Sequence, residues 1–186
     1  MKQLKLNRLA ATFAVLISAS TYAANIEQLN VNVTGSKGQY TSVTDAILVG
    51  DYNRYITRWR DIDHYADMGV PNIVESKDLG GGLSWVHMSV FLKKTMYYTQ
   101  SRVQLGPQIS TLHFSLVPKR GSYPEKHEYQ TLTGDTTIKV ISGSGENTKF
   151  SVHTVNHVVF KPGAFTLGAQ SLIAKIARGS VKAFAK

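Results

Sequence analysis

The sequence contains no cysteine among its 186 residues. That absence excludes a disulfide framework, a thiolate metal site and a lipid anchor on cysteine, so packing alone must hold the fold. Proline is scarce, with 5 residues, and glycine is ordinary at 15, which excludes a collagen-like or disordered chain. Acidic residues are few, 12 against 21 basic ones, for a net charge of +9. Beyond the first twenty-odd positions no apolar run approaches the roughly 18 residues of a membrane span, so a polytopic membrane protein is excluded. No Gly-x-Ser-x-Gly nucleophile elbow occurs, and Gly80-Gly81-Gly82 lacks the Lys-Ser/Thr that would make it a phosphate cradle, so it reads as a turn.

What is present begins with an address. Lys2, Lys5 and Arg8 precede the apolar stretch 9–19, and Thr21-Tyr22-Ala23 fits the small-x-Ala pattern of signal peptidase. Residues 1–23 are therefore expected to be a cleaved signal peptide, and 24–186 a single domain in the periplasm. Cleavage removes three positive charges and no acid. The remaining basic excess favours transient contact with an anionic membrane surface, while nucleic acid is not an expected partner in that compartment.

In the stretch 25–34, Leu29, Val31 and Val33 alternate with Gln28, Asn30 and Asn32, the pattern of a half-buried strand. Gly35 and Gly38 break it. Val43, Ala46, Ile47 and Val49 then recur at helical spacing up to Gly50, predicting a first short helix. Tyr52, Tyr55, Ile56 and Trp59 predict a second over 51–60. Period-two patterning follows, predicting strands at 72–77, 83–92, 96–105, 111–117, 127–132, 136–141 and 150–160, with a loop at 118–124. Short turns between them predict an antiparallel meander. Pro162 and Gly163 end the sheet. Over 164–185 an apolar stripe of Phe165, Ala169, Leu172, Ile173, Ile176, Val181 and Phe184 runs beside a basic one of Lys175, Arg178, Lys182 and Lys186. The apolar stripe must be buried, and the concave face of the sheet is the one large surface available.

An α+β chain with this order of elements resembles the START-like (SRPBCC) superfamily, which includes polyketide cyclase and coenzyme-Q-binding families. The resemblance is carried by the segment Asp51-Tyr52-Asn53-Arg54-Tyr55-Ile56-Thr57-Arg58-Trp59, by Asn72-Ile73-Val74-Glu75-Ser76 and by the C-terminal helix. It implies a helix-grip fold, a curved antiparallel sheet wrapped around the last helix, with a hydrophobic pocket between them.

The pocket candidates are the aromatics Tyr52, Tyr55, Trp59, Trp85, Tyr97, Tyr98, Phe114 and Tyr129 with Met88, Leu172 and Ile176, and Arg102, Thr154 and Asn156 are polar groups that would need a partner if turned inward. Each has a plainer reading: core packing for the aromatics, a solvated strand face for Arg102, and a solvated helix face for the basic stripe. Strand 83–92 is apolar on both sides. The set Met88, Val90, Leu92 and the set Leu83, Trp85, Phe91 both qualify for the pocket, and the other must cover another element or a partner. His153 and His157, four apart on a strand, are separated by roughly 13 Å and cannot chelate one ion. Asp61, Asp63 and His64 read as caps and turns, so neither metal nor cofactor is expected. The expected function is monomeric binding of a hydrophobic small molecule or lipid, as carrier or sensor. The alternatives are a cyclase or dehydratase with His87 or Tyr98 as acid or base in the cavity, and a partner-binding module exposing strand 83–92.

Overall fold

Residues 23–90, 93–164 and 166–186 are described in the computed structural model; the signal peptide expected at 1–23 lies outside them but for Ala23. Eight strands form one curved, unclosed antiparallel sheet: β1 Ala24–Ser36, β2 Gln39–Gly50, β3 Ile73–Asp78, β4 Leu83–Val90, β5 Lys93–Gln104, β6 Ile109–Val117, β7 Tyr129–Ser142 and β8 Thr148–Phe160. Their order is β1-β2-β8-β7-β6-β5-β4-β3. Helix α1, Tyr52–Arg60, closes one end, and helix α2, Ala169–Ala185, lies across the concave face. The expected α+β helix-grip architecture is the one found.

Asp51 caps α1, its carboxylate accepting from the Arg54 N–H at 3.0 Å. The helix buries Tyr52, Tyr55, Ile56 and Trp59, the stripe that sequence spacing predicted. Arg58 donates to the carbonyl of Ala183 at 3.1 Å, placing a cation on the C-terminal end of α2. There Tyr55, Phe150 and Phe184 pack with ring centroids 5.2 and 6.3 Å apart. Gly179 lets α2 approach the 61–72 connection, since a Cβ at that position would come within 2.0 Å of Pro71 Cγ. Ala23 is buried too; it donates to the Lys186 carbonyl at 3.2 Å and accepts from the Asp51 N–H at 2.7 Å.

Three expectations are corrected. The predicted helix ending at Gly50 is the second half of β2. Its inward residues are Tyr40, Ser42, Thr44, Ala46, Leu48 and Gly50, every second position. Because several of them are small or polar, hydrophobicity alone did not mark the buried face, and Val43, Ala46, Ile47 and Val49 mimicked a helical stripe. The strands expected at 127–132 and 136–141 are one strand, β7, continuous through Gly134. Helix α2 begins at Ala169, after Gly168 at φ 76°, so residues near 164 belong to the connection.

Candidate functional site

The two halves of α2 meet the sheet differently. Toward its C-terminus Val181, Ala183 and Phe184 join Leu48, Ile138 and Phe150 in a core whose edge, at Val181 and Phe184, borders the hollow. Toward its N-terminus Leu172, Ile173 and Ile176 are only partly buried, because the space between them and the sheet is hollow. This cavity has a volume of about 310 Å³, at the lower end of the range for small-molecule sites.

Strand alternation decides what lines it. On β4 the inward residues are Val86, Met88 and Val90, and on β5 Tyr97, Thr99 and Ser101. Leu112 and Phe114 come from β6, Leu132 and Thr136 from β7, and Val152, Thr154, Asn156 and Val158 from β8. Trp59 of α1 and Ile62, Tyr65 and Val70 of the following connection close one side. Tyr65 is held by a hydrogen bond from its hydroxyl to the Trp59 carbonyl.

Of the residues singled out in the sequence, Tyr52 packs in the core, while Tyr55, Trp59, Met88, Tyr97, Phe114, Tyr129, Asn156, Leu172 and Ile176 line this cavity together, and so does Thr154. Trp85, Tyr98 and Arg102 do not. They occupy the opposite phase of β4 and β5 and face the convex side. Arg102 is solvent-exposed there, opposite His113. Trp85 and Tyr98 are buried nonetheless, at 3% and 0% exposure, because the segment 118–126 folds back over them. Trp85 donates from Nε1 to the Pro124 carbonyl at 2.8 Å, and Tyr98 donates to the Tyr123 carbonyl at 2.8 Å. Tyr123 stacks on Trp85 at 4.7 Å. His87 also faces this side, its ring 6.0 Å from Trp85. The acid–base candidates His87 and Tyr98 are thus outside the cavity. On the strand expected to be exposed in a partner-binding module, Trp85 is covered as well, while Phe91 and Leu92 lie outside the described residues.

The lining has no Asp, Glu, Lys, Arg or His among the described residues. Its tyrosines stay neutral. Burial, with Tyr65 nearby, raises Tyr55, and burial, with Tyr129 nearby, raises Tyr97. Burial, with the Glu128 charge as a lesser cause, pushes Tyr129 up to about 12. Tyr97 directs its hydroxyl to Met88 Sδ at 3.1 Å, a weak acceptor. Asn156 donates from Nδ2 to Ser42 Oγ at 3.3 Å, and the Thr136 and Thr154 hydroxyls lie 3.0 Å apart. Thr44 Oγ1 is buried without a partner among the described residues. Gly134 makes room for this arrangement: a Cβ there would come within 2.2 Å of Phe114 Cε1 and 2.3 Å of Asn156 Oδ1.

Sequence reading missed Ser42 and Thr44 because β2 was assigned a helical period. It offered both Tyr97 and Tyr98, because the two are neighbours and nothing local fixes the phase; Tyr97 is the one that faces the cavity. The bulk of Trp85 and Tyr98 pointed to a pocket; a distant segment covers them instead. Among the described residues no group of His, Asp and Glu could hold a metal ion.

No protein-family model and no curated protein matches the sequence. Solved structures do resemble the fold. A fragment, residues 25–204, of the STAR-related lipid transfer protein from Xanthomonas axonopodis superposes with a TM-score of 0.63 at 12% identity, covering 88% of this chain and 97% of that one. Human STARD10 gives 0.54 at 15% identity, over 83% of this chain and 72% of that one. The Zhui aromatase/cyclase from Streptomyces sp. R1128 gives 0.54 at 13% identity, over 79% and 92%. With its unclosed eight-stranded sheet gripping a C-terminal helix around a hollow, the chain has the START-like fold.

Proposed function

We propose that this protein binds a hydrophobic small molecule in the cavity between sheet and α2, as a carrier or sensor in the periplasm. The observation that carries the reading is the hollow itself: about 310 Å³ in the middle of the fold, lined by apolar, hydroxyl and amide side chains. A mostly apolar hollow of that size forfeits packing unless an occupant fills it, which supports a ligand there. Two of the proteins of like fold are a lipid transfer protein and an aromatase/cyclase by name, which supports hydrophobic ligands in general. Among the described residues the lining offers no side chain that titrates near neutrality, which supports binding over acid–base turnover. Export rests on the N-terminal charge, apolar stretch and Thr21-Tyr22-Ala23. Lys175, Arg178 and Lys182, exposed on α2, are the residues that would meet an anionic membrane surface.

Native mass spectrometry of protein purified from an osmotic-shock fraction, followed by organic extraction, tests the reading. A stoichiometric adduct that extracts into organic solvent is expected, together with an N-terminus that lacks the leader. A bare mass after incubation with total envelope lipid would overturn it.

A further inference from the structure

The cavity is neutral throughout but not uniform. Strand register sets Thr44 of β2 opposite Thr154 of β8, and Thr154 opposite Thr136 of β7. Two residues along, Ser42 stands opposite Asn156, and Asn156 opposite Gly134. Hydroxyl and amide groups thus fill adjoining rows across three neighbouring strands. The facing walls from β4 and α2 are hydrocarbon, with Val86, Met88, Leu172 and Ile173.

We infer that this patch seats a neutral, oxygen-bearing head group, a hydroxyl or a carbonyl, of a compact ligand whose apolar body lies against β4 and α2. The inference rests on the reading that the cavity binds a ligand, and adds what that ligand must be. Thr44 is 2% exposed and its Oγ1 has no partner among the described residues, and a buried hydroxyl left unpaired is costly unless something fills the site. The Thr136–Thr154 contact uses one of its two hydroxyl protons, leaving the other to donate. Asn156 gives its amide N–H to Ser42, leaving the amide oxygen as an acceptor. Donors and an acceptor therefore sit side by side, as a hydroxyl requires. A carboxylate, phosphate or ammonium would have to shed its water with no opposite charge in the lining to compensate, so charged amphiphiles are disfavoured. A volume of about 310 Å³, at the lower end for small-molecule sites, favours a modest chain or a few rings as the occupant.

Displacement of the neutral fluorophore N-phenyl-1-naphthylamine by ligands of equal chain length at pH 8 tests this. Decanol should displace it at a concentration at least tenfold lower than decanoate or decyltrimethylammonium. In Thr44→Val, the ratio of decanol to decane potency should fall at least fivefold. Equal competition by decanoate, or an unchanged ratio in well-folded Thr44→Val, would overturn the inference while leaving the binding reading intact. Failure of the wild-type protein to take up the fluorophore would overturn the binding reading itself. The alcohol–carboxylate comparison needs no variant and decides the matter if Thr44→Val does not fold.

Discussion

The two faces of β4 and β5 carry similar residues and serve opposite ends. On the convex face Trp85 and Tyr98 are covered by segment 118–126, and both polar atoms are consumed by backbone carbonyls of that segment. On the concave face Met88 and Tyr97 look into a hollow, and among the described residues the Tyr97 hydroxyl has only a thioether to bond. An aromatic residue on a strand thus makes a core when the chain returns to cover it, and a pocket wall when it does not. Position relative to the distant 118–126 segment separates the two, not residue type. Stability should therefore depend on the outer face and ligand uptake on the inner one.

Substitutions can break this division. Trp85→Ala removes the larger of the two buried outer rings and should cost about 3–5 kcal/mol of unfolding free energy, measured by urea denaturation. The molecules that remain folded should still take up a hydrophobic fluorophore. A high-pH experiment sharpens the inner side. Tyr129 ordinarily titrates near 10 and is pushed up to about 12 by burial, so the fold favours its neutral form. Its contribution is complete below pH 10 and is lost as the pH rises through about 12, on the order of 2–3 kcal/mol at ~1.4 kcal/mol per unit. Urea midpoints at pH 9 and 11 should show about half of that loss, and Tyr129→Phe should reduce it.

Gly134→Ala tests the cavity floor. Its Cβ must displace the Phe114 ring or the Asn156 amide, and overpacking of this kind costs about 1–3 kcal/mol. Uptake should weaken with it, as it should in Phe114→Ala, and a fluorophore titration reads both. The smallest effect belongs to Tyr98→Phe, which deletes one hydrogen bond to Tyr123 and should cost about 1 kcal/mol. Its binding curve should match that of the wild type.

Much of this architecture was legible in the sequence because period and composition agreed. The α1 stripe, the antiparallel run of strands and the amphipathic C-terminal helix follow from spacing alone. The inward set of β6, Leu112 and Phe114, follows from alternation with Thr111, His113 and Ser115. β2 was not legible, because a strand whose buried face carries Ser42 and Thr44 hides the face that matters to a hydrophobicity count. Those polar residues form the cavity floor, so the error and the site have one cause. The outward placement of Trp85 and Tyr98 was not legible for another reason: the phase of β4 and β5 is set by long-range packing with α2 and segment 118–126.

The most direct test fills the hollow. Ile176 projects from α2 into the cavity, and Ile176→Trp places an indole there without touching the outer face. Titration of N-phenyl-1-naphthylamine against this variant, with its urea midpoint measured alongside, separates binding from folding. Uptake is predicted to fall below detection with the midpoint near that of the wild type. Unchanged uptake by the well-folded variant would contradict the assignment of the ligand to this cavity.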